Sequence, residues 1–197
     1  MKPSPVNRSL VNRDSVPALY PTHFNTPEFW EHLGRAIGAC GFLEEVLGKA
    51  IFAITATREY NSEEIEAAYQ EWLPQLEQAL TDQLWNLAEK YGRAARDNAA
   101  TTTENISELV DDIKKVVPIR NALCHGSWRP PDNNGSSIPF FVNRKMQKFD
   151  TAIDIEFLKD VRAHVAGLAF SVIDTVTHMG WLFPGGAGPG TPIMEFR

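Results

Sequence analysis

Apolar residues recur at three- and four-residue steps over most of this chain, a spacing that predicts helices rather than strands. The first stripe runs through Phe29, Leu33, Ile37, Cys40, Leu43, Leu47, Ile51 and Ile54. Thr26-Pro27-Glu28 precedes it as N-cap, first-turn proline and first-turn acid, so one long amphipathic helix is predicted to begin there. Asn61-Ser62 with Glu63-Glu64 restarts a helix through Ile65, Tyr69 and Trp72; Pro74 is expected to kink or split it, and Leu76, Leu80, Leu84, Leu87 and Tyr91 continue the stripe. A third helix is predicted from Thr103-Glu104, with Ile106, Leu109, Ile113, Val116 and Val117 on its core face and a bend at Pro118. The last runs from Ile155 through Leu158, Val161, Val165, Leu168, Val172 and Val176 to a stop at Gly180.

Between the last two helices the pattern changes. Residues 127–137 carry Pro130, Pro131, Asn133, Asn134 and Gly135, which is loop chemistry. Residues 138–149 hold two short β-prone runs around Asn143-Arg144-Lys145, which reads as a hairpin flap. The expected fold is therefore all-α: a bundle of four to five helices with a short β-prone hairpin insertion after the third helix. Residues 1–25 read as an extended or disordered arm, 26–180 as one helical domain with its insertion at 127–152, and 181–197 as a flexible Gly/Pro tail.

Composition narrows the class. A chain of 197 residues supports one well-buried domain, and no run of about 18 apolar residues appears that could span a bilayer. The opening MKPSPVNRSLVNRDSVPALYP lacks the apolar core of a secretory signal, so a cytoplasmic protein without membrane attachment is expected. Cys40 and Cys124 are spaced as free thiols rather than as a metal knuckle, and no cofactor or metal is expected.

Charge changes the picture further. The whole chain carries -6, yet residues 113–148 hold Lys114, Lys115, Arg120, Arg129, Arg144, Lys145 and Lys148 against the single acid Asp132, net +6, leaving -12 elsewhere. Positive charge is thus gathered around one short motif, Arg120-Asn121-Ala122-Leu123-Cys124-His125-Gly126. A guanidinium is a permanent forked phosphate ligand and an imidazole titrates near neutrality, so the pair suits a phosphodiester and proton transfer upon it. RNA cleavage is the candidate reaction. A bland reading stands beside it: His125-Gly126 is also a helix stop with a cation at the negative end of the dipole, and the basic stretch is also a solvated loop.

Arg120, Asn121 and His125 match the R-(polar)-x(3)-H signature of the HEPN superfamily, which this chain resembles over its helical region from about Thr26 to Gly180. The resemblance implies an all-helical domain and, in many members, a metal-independent ribonuclease of toxin or antiviral type. It places Arg120 and His125 in the active site with Asn121 as the polar residue after the arginine. It also implies a homodimer with the motif at the interface, and an antitoxin-like protein as a further partner. Members without catalysis exist, so the alternative is a HEPN-like dimer that binds a nucleotide or protein. A third reading is a purely structural helical dimerisation module with His125 as a cap.

Geometry adds a constraint of its own. Five residues of helix turn through about 500°, which leaves Arg120 and His125 about 140° apart. Either the helix loosens near Leu123, or the site is assembled from two motif copies across a two-fold axis. Trp128, Arg129 and Lys145 are the candidate substrate contacts, Trp128 by stacking on a base or, alternatively, as a packing plug. Weaker candidates are the i,i+4 pair Glu28 and His32 and the acids Glu108, Asp111 and Asp112, which read better as helix surface, and the pair His164 and His178 on the last helix, which read as helix-surface or core residues.

Overall fold

The computed structural model describes residues 11–56, 74 and 83–185. Among them four α-helices form: α1 (Pro27–Ala56), α2 (Leu84–Asp97), α3 (Ile106–His125) and α4 (Ile155–His178). The all-α expectation is met with a count of four. The predicted stretch through Ile65, Tyr69, Trp72, Leu76 and Leu80 lies outside the described residues, as does the kink expected around Pro74.

The helix ends follow local chemistry. Thr26 Oγ1 accepts from Phe29 N at 3.2 Å and opens α1. Asp154 Oδ1 accepts from Phe157 N at 2.8 Å and opens α4, which runs out where Gly180 takes φ +81°. The start of α3 falls at Ile106, after Asn105, whose side chain makes no cap hydrogen bond. Pro118 lies inside α3 on an exposed face and does not end it.

α1 packs along α4, while α2 fills the space between α1 and α3. The apolar stripes meet in one core containing Phe29, Leu43, Leu47, Leu87, Ile113, Leu158, Val165 and Val172. Tyr91 is fully buried, and its hydroxyl meets Thr175 Oγ1 at 2.9 Å. Burial pushes its phenol up to about 12, with the Thr175 hydrogen bond opposing. Phe29 at the start of α1 touches Trp128 just beyond α3, Glu44 touches Arg120, and Asn98 before α3 donates to Ile54 O near the end of α1. These three contacts make α1 and α3 antiparallel neighbours.

The β-prone hairpin expected in the insertion is not shown as paired strands: residues 127–153 are tied by three isolated antiparallel bridges, Ser127–Phe140, Ser137–Ile153 and Val142–Lys148. Pro139 lacks the amide that would continue a ladder past Phe140. At the other end Asn143 Oδ1 accepts from the amides of Lys145 and Gln147, so a side chain takes donors that a tight two-residue turn would leave for strand pairing. The loop is nonetheless anchored: Ser137 and Ile153 are buried, and Ser137 Oγ donates to Arg129 O at 2.6 Å. Beyond Gly180, Trp181 and Phe183 also pack against the core. No described helix is long and apolar enough to cross a membrane.

Candidate functional site

The last two turns of α3 carry the motif, and they face two directions. Arg120 reaches across to α1, where its Nη2 lies 3.1 Å from Glu44 Oε1, and its Nη1 donates to Asn121 Oδ1 at 3.3 Å. Both partners of the ion pair are about three-quarters buried, with side-chain exposures of 28% and 24%. Glu44 Oε1 has no aligned hydrogen-bond donor, so its compensation is the charge of Arg120 alone.

Below this pair lie the two thiols. Cys40 precedes Glu44 by one turn on α1, and Cys124 follows Arg120 by one turn on α3, so antiparallel packing brings the four side chains into one layer. Burial first, then Cys124 and Glu44, push the Cys40 thiol up to about 11, against the pull of Arg120. Cys40 is therefore a neutral, structural thiol at ordinary pH.

His125 is the last residue of α3 and is exposed, its imidazole making no hydrogen bond or ion pair with any described residue. Because α3 continues unbroken through a buried Leu123, the helix does not loosen there, and one chain keeps Arg120 and His125 on different faces. Arg120 and Asn121 come together; His125 stands apart from them.

The candidate substrate contacts separate. Trp128 is half-buried and packs edge-on against Phe29 and Trp30, with ring centroids at 5.0 and 6.2 Å, in the arrangement of a packing plug. Arg129 is exposed, with its guanidinium 5.3 Å above the Phe140 ring. Lys145 is exposed on the Asn143 turn.

Most of the weaker candidates lie at the surface; His32 does not, its side chain being 16% exposed and its Nδ1 buried without a hydrogen-bond partner among the described residues. His32 lies 3.9 Å from Glu28, and among the described residues no three His, Cys, Asp or Glu side chains group as a metal set. Asp112 pairs with Lys115 at 2.7 Å, and Asp111 with Lys114 at 3.7 Å. The Lys115 hydrogen bond holds the Asp112 carboxyl below its usual range. Glu108, His164 and His178 are exposed.

No family model, curated protein or solved structure matches the chain.

Two residues of the site carry no motif signal. Phe140 sits in an aperiodic loop. Glu44 left a faint trace, as an acid set one turn after Cys40 and three residues before Leu47 on a buried stripe. An ionised group there needs a cation from another element.

Proposed function

We propose that this chain is a metal-independent endoribonuclease of HEPN type, acting as a cytoplasmic homodimer in a toxin or defence role. The observation that carries the reading is the contrast between Arg120, fixed by Glu44 and Asn121, and His125, left unpaired in solvent five residues later on the same helix. Structural cations are usually satisfied where they stand, and a helix-capping histidine has no use for an oriented guanidinium one turn earlier. The 140° separation supports a site completed by a second copy of the motif, with Arg120 of one copy meeting His125 of the other.

In the reaction His125 takes the proton of the ribose 2′-hydroxyl as its oxygen attacks phosphorus. The bond from phosphorus to the 5′-oxygen breaks, that oxygen is protonated, and a 2′,3′-cyclic phosphate and a 5′-hydroxyl remain. Arg120 neutralises charge that develops on the non-bridging oxygens, and Asn121 holds its guanidinium in plane. The requirement for a 2′-hydroxyl restricts the substrate to RNA.

The test incubates labelled RNA with the wild-type protein and with His125→Ala in excess EDTA, and analyses the new ends. Cleavage by wild type alone, with cyclic phosphate ends, is expected; intact RNA with both folded proteins rejects catalysis. The Glu44 contact favours one other reading. Its carboxylate already balances Arg120, as in a domain that uses the motif to bind a nucleotide or protein without cutting.

A further inference from the structure

The geometry points to Phe140 and Arg129 as a base-stacking platform for single-stranded nucleic acid, with Arg144, Lys145 and Lys148 as its phosphate contacts. This inference rests on the nucleic-acid reading of the motif but not on catalysis.

Phe140 is a large apolar side chain that folding leaves outside: 53% of it is exposed, although it sits in an anchored loop. Its backbone is clamped to Ser127 by two reciprocal hydrogen bonds of 3.0 and 2.8 Å, and Ser127 is two residues past His125. The clamp is close-fitting. A Cβ added at Gly126 would stand 2.5 Å from Ala122 O and 2.6 Å from the buried Pro139, so the loop lies directly on the end of the motif helix. The backbone of Phe140 is thus fixed to the residue two places past His125, and among the described residues its ring carries only Arg129 above it.

The charge around the ring is unspent. Arg129 lies over Phe140 without a carboxylate partner, and Arg144, Lys145 and Lys148 form no ion pair with any described residue. Two acids lie in the same loop. Asp132, exposed like Asp150, accepts from the amides of Asn134 and Ser136, and neither acid pairs with a described cation. Elsewhere Arg35, Lys49, Lys114, Lys115 and Lys159 each hold a carboxylate, while Arg13, Arg93, Arg96 and Arg162 pair with no described acid; what sets the insertion apart is that its unpaired cations share one loop with an open ring. An open aromatic face with a guanidinium above it and free ammonium groups nearby is the chemistry that takes an unpaired base and its flanking phosphates. A duplex offers no free base face to such a ring. Trp128, packed against Phe29 and Trp30, cannot serve in its place.

The test is fluorescence anisotropy of the full chain with a labelled single-stranded oligonucleotide whose 2′-hydroxyls are methylated, so that it binds without being cut. Single strand is expected to bind in preference to the matching duplex. Phe140→Ala should weaken binding by about 5- to 150-fold, the span for losing one stacked base, and Phe140→Trp should restore it. Lys145→Gln with Lys148→Gln should lower the salt slope by about 0.7 for each phosphate that is no longer neutralised. Thermal melts check that every variant is folded. Binding indifferent to Phe140, equal binding of duplex, or capture of phosphatidylserine vesicles in place of the oligonucleotide overturns the inference. Phe140-dependent binding by a wild-type protein that cuts no RNA upholds it and removes the ribonuclease reading alone.

Discussion

The Arg120–Glu44 pair makes a prediction whose size follows from its surroundings. At 3.1 Å and an effective dielectric constant near 20, the gross attraction is about 5 kcal/mol. Taking two largely buried ions out of water offsets much of that, and the remaining exposure of each side chain weakens it further. Breaking the pair from one side leaves an uncompensated charge, so Arg120→Ala and Glu44→Ala should each cost about 2 kcal/mol, below the roughly 3–5 kcal/mol of a fully buried pair because solvent still reaches both. In a domain of this size that corresponds to a fall in Tm of roughly 4–8 °C. Removing both partners should cost less than the two single effects together, with a coupling of about 1–2 kcal/mol in a double-mutant cycle read by urea unfolding. Additivity within about 0.5 kcal/mol would mean that no such pair forms in solution, and the account of how Arg120 is held would fall with it. Arg120→Lys sharpens the test. It keeps the charge but loses the fork that serves Glu44 and Asn121 together, so stability should largely survive while RNA cleavage is lost.

Other expectations reach different parts of the molecule. Mixing folded Arg120→Ala and His125→Ala proteins should restore about a quarter of wild-type cleavage, because half the dimers are mixed and each holds one complete site; an inactive mixture in which mixed dimers are demonstrated rejects a site shared in that way. Gly126→Ala forces a Cβ against Ala122 O and Pro139 and should destabilise by about 1–3 kcal/mol, measured by denaturation, whereas an unchanged midpoint would show that the loop does not lie on the helix end. Alkali should weaken the fold over two overlapping pH ranges. Cys40 is raised from 9.0 to about 11 and Tyr91 from 10.0 to about 12, so the folded state holds protons that the unfolded state has lost, and stability falls as pH rises from about 9 to 12. Cys40→Ala should remove the lower part of that fall and Tyr91→Phe the upper part; a pH profile untouched by either substitution is the contrary result.

Periodicity made most of the helical frame legible. Leu158, Val161, Val165, Leu168, Val172 and Val176 were expected on the core face of the last helix, and all are buried. Thr26 and Gly180 mark helix ends as their chemistry requires. The same reasoning fails where side chains answer to distant elements. Ile37, Ile51 and Val117 lie on predicted core faces and are only half-buried, because the neighbours that would cover them are set by packing rather than by spacing. Glu44 belongs to a buried stripe only because antiparallel α3 delivers Arg120 to it. In the insertion no period distinguishes Trp128 from Phe140, so which ring is packed and which is open depends on how the loop docks.

Departures from local rules are informative when they gather, and here they gather at the C-terminal end of α3. A carboxylate stands on a buried stripe, a largely buried arginine spends its fork on that carboxylate and an amide, and a glycine admits a loop within a Cβ's reach of the helix. A phenylalanine is held open to water, and a histidine stands with no partner among the described residues. Each has a separate structural excuse, but the excuses are unrelated: an ion pair does not call for an exposed ring, and a helix stop does not call for a buried acid. The proposed phosphodiester site would draw three of them together: Arg120 held by Glu44 and Asn121, His125 unpaired, and Phe140 clamped to Ser127. The one feature it leaves unmet in a single chain is the angle between Arg120 and His125, and a two-fold partner is the simplest object that meets it.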